Sequence, residues 1–146
     1  MSLDENKKLA MSTAQEIVSG RRLDLIPEII HPDYTYRGQA GFTAKGPDGY
    51  RAVVETFQAA FSDLRSDIQV AIAEGDWVSM MFEVTGKNDG IFLGHPATGR
   101  QVTIRGIINC RISDHKVIEQ VEMFDYVGLL QQLGLAEGLT APMFAD

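Results

Sequence analysis

The chain of 146 residues has one cysteine, Cys110, and no long apolar run. A single cysteine cannot form an internal disulfide or build a cysteine-rich metal site, so we expect a reducing compartment. Its apolar stretches fall short of the roughly 20 residues that span a bilayer, and residues 1–8 lack the apolar core of a secretory signal. These absences predict a cytoplasmic protein that has no membrane partner.

Basic residues are also scarce, with 13 Lys and Arg against 20 Asp and Glu and a net charge of −7. A field of this sign repels phosphate backbones, so nucleic acid is not an expected partner. The histidines His31, His95 and His115 lie apart in predicted loops and turns, without metal-ligand spacing. The chain also lacks a Gly-x-Ser-x-Gly elbow and a phosphate loop. We therefore predict no metal site, no phosphate-binding loop and no nucleophilic hydrolase chemistry.

The composition, 45% hydrophobic and 23% charged, is that of an ordinary globular protein and predicts one domain over residues 1–146. A capping box at Ser2 and Glu5 opens a first helix that ends at Gly20, and a shorter helix follows over residues 24–30. The clearest helix begins at Pro47 and has apolar residues at helical spacing: Tyr50, Val53, Val54, Phe57 and Phe61.

The hydrophobic period changes from helical to two after Phe61. Helices followed by a run of antiparallel strands indicate an α+β fold with the helices on one face of the sheet. The predicted strands are 34–36, 64–72, 77–85, 101–112 and 116–126, with loops at 38–46 and 86–100 and a last helix at 126–133.

The last hairpin, with Asp114 and His115 as its loop residues, determines which side chains share a face. A regular register pairs Ser113 with Lys116 and places Asp125 on the apolar face. Burial disfavours the charged form of a carboxylate and suits it to general acid–base work. Asp125 also precedes the last predicted helix, where aspartate is a favoured N-cap, so both roles remain open. The other residues of this predicted interior face are Ile104, Gly106, Ile108, Cys110, Val121 and Met123.

The same register gives the opposite face of the hairpin a mixed composition. It carries Ile107 and Phe124 among Arg105, Asn109 and Glu122. A face of this kind suits a contact between subunits, so we predict a homodimer through the sheet.

Several stretches of the chain together resemble the SnoaL-like polyketide cyclases, and the resemblance extends from about Ile17 to Gly134. It implies the NTF2-like fold, in which a curved, mainly antiparallel sheet wraps around the N-terminal helices and forms a cone with a deep apolar pocket. It also implies assembly as dimers or tetramers. The stretches are Phe61-Ser62-Asp63-Leu64, residues 72–78, Gly90-Ile91-Phe92-Leu93-Gly94-His95-Pro96 with its continuation to Arg100, Ile112-Ser113-Asp114-His115-Lys116-Val117-Ile118-Glu119, and residues 125–134.

The resemblance further implies ring closure by intramolecular aldol condensation on a small, apolar carbonyl compound, without a cofactor or metal. Asp125 looks like the match to the aspartate that serves the family as acid/base. Tyr36 or Asn88 could donate a hydrogen bond to the enolate oxygen. The residues predicted to line the substrate pocket are Tyr36, Phe57, Phe61, Trp77, Asn88, Phe92, Ile108, Val121 and Met123.

Two other readings of the function remain open at this point. In one, the protein binds a small molecule without catalysis, and Asp125 is only a helix cap. In the other, the same scaffold performs a different reaction, such as isomerisation of a ketosteroid-like compound or hydrolysis of an epoxide.

Overall fold

The chain folds as a layer of helices against one face of a six-stranded sheet, in a computed structural model that describes residues 1–136. The helices are α1 (Leu3–Ser12), which continues as a π-helix over Thr13–Ser19, α2 (Ile26–Ile29), α3 (Gly46–Ala60) and α4 (Tyr126–Gln132). The strands are β1 (Ile30–Arg37), β2 (Thr43–Lys45), β3 (Arg65–Glu74), β4 (Trp77–Lys87), β5 (Gln101–Ser113) and β6 (Lys116–Phe124).

The sheet has the strand order β2-β1-β6-β5-β4-β3. Its strand pairs are antiparallel except β1 and β6, which run parallel. This arrangement confirms the predicted α+β class with a mainly antiparallel sheet. The parallel pair brings the first strand beside the last, so that side chains far apart in sequence line one interior.

The N-terminal helix forms as the capping pattern predicts. Ser2 Oγ accepts a hydrogen bond from Glu5 N at 3.1 Å, and Ser2 N donates to Glu5 Oε2 at 2.8 Å. The second half of the predicted helix widens into a π-helix that ends at Ser19, so the backbone carbonyls of its last turn have no partner within the helix. The Gln58 side chain of α3 donates to two of them, Ile17 O at 3.2 Å and Val18 O at 3.1 Å. These bonds hold the first helix against α3.

Two local predictions are wrong at the start of the sheet. The first strand is longer than the predicted residues 34–36, because β1 already begins at Ile30 and includes His31-Pro32-Asp33. The segment 38–46 is not wholly a loop, since β2 pairs with β1 through Tyr36 and Ala44. Pairing with β6 and β2 supplies the hydrogen bonds that a short, isolated strand would lack.

The register predicted for the last hairpin is also wrong. Ser113 pairs with Lys116 as expected, but the pairing then shifts by one residue, so that Ile108 lies opposite Glu122. The extra residue is Ile118, which bulges from β6 between the partners of Ile112 and Arg111. A shift of one residue moves every following side chain to the other face.

The bulge therefore reverses the predicted faces of β6. Gln120, Glu122 and Phe124 point into the protein, and Val121 and Met123 point away from it. Met123 is 61% exposed. Phe124 and Glu122 consequently do not belong to the outer face on which we had placed them.

None of the helices within residues 1–136 combines the length and the apolar character that crossing a lipid bilayer takes.

Candidate functional site

A cavity lies between the helices and the inner face of the sheet. Its volume is about 140 Å³, measured as the space open to the centre of a water molecule. Its wall is mainly apolar, and among the described residues it includes no Lys, Arg or His. Representative apolar lining residues are Val54, Phe57, Phe61, Met80, Phe82 and Ile108.

Glu122 is the one carboxyl group among the described residues of this wall. Its Oε1 accepts a hydrogen bond of 2.7 Å from the hydroxyl of Tyr36 on the neighbouring strand β1. The side chain of Glu122 is half-buried and faces the cavity. This burial raises the pKa of the Glu122 carboxyl, and the hydrogen bond from Tyr36 opposes the rise only in part. A raised pKa favours the protonated form of the carboxyl and suits it to general acid–base work.

Tyr36 is held as a hydrogen-bond donor. Burial, and then the neighbouring charge of Glu122, raise the pKa of its hydroxyl far above the ordinary tyrosine range. The ring of Phe42 packs edge-on against it, with 5.9 Å between centroids. Gly38 allows the backbone to pass close by, since a Cβ at this position would lie 2.8 Å from the Tyr36 hydroxyl oxygen. Glu122 and Tyr36 thus form a hydrogen-bonded carboxyl–hydroxyl pair in the wall of the cavity.

A second polar pair lies two residues earlier on each of the same strands, at Tyr34 and Gln120. The hydroxyl of Tyr34 donates to Gln120 Oε1 at 2.7 Å, and Gln120 Nε2 donates to Cys110 Sγ at 3.2 Å. Burial raises the pKa of the Cys110 thiol to about 12, so the thiol stays protonated and is a poor nucleophile. Tyr50 lies beside this pair, with its ring edge-on to Tyr34 at 5.5 Å.

Aromatic side chains surround a second cavity that continues from the first. The two cavities share Tyr36, Val53, Phe57 and Phe124. The Phe57 ring centroid lies 5.6 Å from that of Phe92 and 6.0 Å from that of Phe124. The ring of Tyr126 follows at 6.1 Å from Phe124. A flat, apolar molecule can therefore contact aromatic rings from the outer cavity to Glu122.

Asp125 does not line either cavity. It is the N-cap of α4, and its Oδ1 accepts a hydrogen bond of 2.8 Å from Gly128 N. The expectation that Asp125 shares a face with Ile104 and Met123 is therefore wrong, because it depended on the regular register. We had left two roles open for Asp125, a helix cap and a general acid/base. The structure places it as the helix cap.

The predicted pocket residues divide into two groups. Tyr36, Phe57, Phe61 and Ile108 line the inner cavity, and Phe92 lines the outer one. Trp77, Asn88, Val121 and Met123 lie outside both.

Asn88 is fully buried, but its side chain bonds to its own loop and to the end of α3. Its Nδ2 donates to Ala60 O and Gly90 O, at 3.2 and 3.0 Å, and its Oδ1 accepts from Thr98 N and Oγ1, at 2.8 and 2.9 Å. Trp77 is 39% exposed and lies at 5.9 Å from the guanidinium carbon of Arg111. Neither side chain is placed to contact a molecule in the cavity.

Sequence reasoning missed Glu122, Gln120, Tyr34 and Tyr50 as cavity residues. The apolar side chains of Val121 and Met123 favoured the wrong face of β6, because the outer face of this sheet is itself partly apolar. Within residues 1–136 no three His, Cys, Asp or Glu side chains come together in a way that could hold a metal ion.

Comparison with known proteins gives consistent matches. The family model of SnoaL-like polyketide cyclases matches residues 8–133. The chain is 31% identical over 116 residues to the aklanonic acid methyl ester cyclase of Streptomyces peucetius, covering 77% of this chain and 80% of the relative. It is 32% identical over 116 residues to the nogalonic acid methyl ester cyclase of Streptomyces nogalater, covering 77% and 86%.

A solved structure has the same fold. It is that of a SnoaL-like polyketide cyclase from Jannaschia sp. CCS1, with a TM-score of 0.84, 21% identity, and coverage of 91% of this chain and 94% of that one. The NTF2-like fold that the resemblance implied is thereby confirmed.

Proposed function

Because this chain belongs to the SnoaL-like polyketide cyclase family, we propose that it closes a ring by an intramolecular aldol reaction, with Glu122 as general acid and base. The observation that carries the proposal is the buried Glu122 carboxyl, hydrogen-bonded to Tyr36 in a cavity whose wall, within residues 1–136, has no positive charge. The proposed substrate is a neutral, mainly apolar carbonyl compound of the polyketide type, as the names of the relatives suggest.

The ionised Glu122 removes a proton from a carbon next to a carbonyl of the substrate, and an enolate forms. Once Glu122 has taken the proton, the Tyr36 hydroxyl turns its single hydrogen from Glu122 Oε1 to the enolate oxygen, which lowers the energy of the developing charge. The enolate carbon then attacks a second carbonyl carbon of the same molecule, and one carbon–carbon bond forms. The resulting alkoxide takes the proton back from Glu122, so the reaction is an isomerisation that needs no cofactor.

The shape of the cavity supports the bond-forming step. Aromatic rings from Phe92 in the outer cavity to Phe57 and Phe61 in the inner one can hold a flexible chain in a folded conformation. A substrate already bound with its two carbonyl groups close together loses less conformational entropy on ring closure than the same chain free in water.

The competing assignment of the acid/base role to Asp125 has weaker geometric support. Its carboxylate accepts from the backbone of Gly128 and has no side-chain partner among residues 1–136. If Asp125 were the only candidate for the acid/base, its bond to backbone alone would favour a protein that binds a small molecule without catalysis. The Glu122–Tyr36 pair supplies the polar partner that an enzyme needs, and it favours catalysis.

The proposal is tested by incubating the purified protein with aklanonic acid methyl ester and with nogalonic acid methyl ester. We expect one of them to give a cyclised product of unchanged mass and altered chromatographic retention. Turnover should persist in EDTA and without any added cofactor. Absence of product from both esters, while either of them binds in the cavity, would instead favour a non-catalytic binding protein.

The homodimer through the sheet is also a proposal, now on a corrected surface. One row of side chains crosses the outer face of four neighbouring strands, and its members are paired in register. All are more than 40% exposed: Val70 41%, Met81 47%, Ile107 48% and Met123 61%. Ion pairs such as Glu83–Arg105 flank the row with both signs of charge. Two copies related by a two-fold axis could therefore place apolar against apolar and Arg against Glu.

We expect the native protein to sediment as a dimer at micromolar concentration and the double variant Met81→Lys/Ile107→Lys to sediment as a monomer, because four buried charges would oppose association. Ile91→Lys is the matched control, since Ile91 is a 68% exposed apolar residue in a distant loop. A monomeric native protein, or a dimer that survives the double substitution, would show that this face is not the interface.

A further inference from the structure

The sheet side of the cavity carries two hydrogen-bonded pairs, each between a tyrosine of β1 and a polar residue of β6: Tyr34–Gln120 and Tyr36–Glu122. Tyr34 and Tyr36 are two residues apart on β1, and Gln120 and Glu122 are two residues apart on the adjacent parallel strand β6. Side chains two residues apart point the same way, about 7 Å from each other. The cavity therefore has two polar positions at a defined spacing, one of them at Glu122 and the other at Gln120.

The position at Gln120 has hydrogen-bonding capacity that the fold does not use fully. The Tyr34 hydroxyl spends its hydrogen on Gln120 Oε1, so its oxygen lone pairs remain. Gln120 Nε2 carries two hydrogens, and its partner within residues 1–136 is the weakly accepting sulfur of Cys110. Gln120 is 2% exposed and lines the cavity. A free donor and a free acceptor thus lie side by side in a site removed from bulk water.

We propose that Tyr34 and Gln120 form a specificity site for a second oxygen-containing group of the substrate. This inference rests on the proposed function. A hydroxyl group suits it best. The hydroxyl oxygen accepts from Gln120 Nε2, and the hydroxyl hydrogen is donated to the oxygen of Tyr34. The substrate carbonyl that becomes the enolate then lies at Tyr36 and Glu122, so the two positions set the orientation of the molecule.

The charges around the cavity define the substrate class further. The described wall has no cation, and its one carboxyl group disfavours a second negative charge. A substrate with a free carboxylate would lose its hydration without gaining a partner. The site therefore selects neutral hydroxy-ketones over acids, whichever ring system carries them.

The test uses two small ketones as probes and measures binding, so it does not depend on turnover. 4-Hydroxy-1-tetralone has a hydroxyl and a ketone on opposite sides of one ring, and 1-tetralone has the ketone alone. We expect the native protein to bind the hydroxy-ketone roughly 5- to 10-fold more tightly, as is typical for one added hydrogen-bonded group.

The variant Tyr34→Phe/Gln120→Leu should reduce this ratio to about one. It removes both members of the pair, so neither is left buried without a partner. The control is Tyr36→Phe, which should weaken the binding of both ketones and leave their ratio unchanged.

A ratio near one in the native protein, including no detectable binding of either ketone, overturns the proposal. So does a ratio that persists in the double variant. Cyclase activity can survive either outcome, and loss of the proposed function would appear separately as absence of product from the methyl esters.

Discussion

Replacing Glu122 by Gln should lower the rate of ring closure by about 10² to 10⁴, the usual contribution of a general acid or base. Glutamine has nearly the same size, and its Oε1 can still accept the hydrogen bond from Tyr36, so the cavity keeps its shape. What the variant loses is the ability to take and return a proton. The measurement is kcat/KM on whichever methyl ester the native protein converts.

The matched control is Asp125→Asn, only three residues away in sequence. Asparagine is about as good an N-cap as aspartate, so α4 should remain stable and the melting temperature should change little. Because Asp125 faces α4 and not the cavity, we expect the rate to stay within a few-fold of the native value. The opposite pattern, an inactive Asp125→Asn and an active Glu122→Gln, would return the acid/base role to Asp125.

Glu122→Gln should also make the protein more stable at neutral and alkaline pH. Burial raises the pKa of the native carboxyl above that of an unfolded glutamate, so the folded state holds this proton more tightly. The stabilisation is complete below the unfolded pKa and is lost as pH rises through the folded one. Each unit of difference corresponds to about 1.4 kcal/mol of unfolding free energy. Glutamine does not titrate, and it avoids this loss.

The prediction is checked by urea denaturation of both proteins between pH 4 and pH 9. The difference in unfolding free energy should be small at the acidic end and grow with pH. Titratable neighbours do not obscure it, because burial raises the pKa of Tyr34, Tyr36, Tyr50 and Cys110 beyond this range. A difference that is constant with pH would show that the pKa of Glu122 is the same in the folded and unfolded protein, and would contradict the prediction.

The same titration should appear in catalysis. As a base, Glu122 must be ionised before substrate binds, so kcat/KM should rise with pH through the raised pKa. Activity and stability therefore depend on the Glu122 proton in opposite directions. Loss of stability at the pH that favours activity is a known cost of a functional site.

The local pattern of residues determined the type of most elements. The capping box at Ser2 and Glu5, the helical spacing from Tyr50 to Phe61 and the period of two after Phe61 each act within one helix or strand. Such signals depend on neighbours only a few positions away, and the α+β class follows from their order.

Which carboxyl group faces the cavity was decided by tertiary structure. Ile118 is an extra residue in β6 that forms a bulge. The sequence does not reveal the bulge, because apolar side chains lie on both faces of this sheet. That single residue turns Glu122 inward and leaves Asp125 to cap a helix. Tyr36, which completes the pair, is 86 residues away in sequence and meets Glu122 only because β1 runs beside β6. Side-chain alternation along a strand is a local property, but which face becomes the interior depends on contacts between strands distant in sequence.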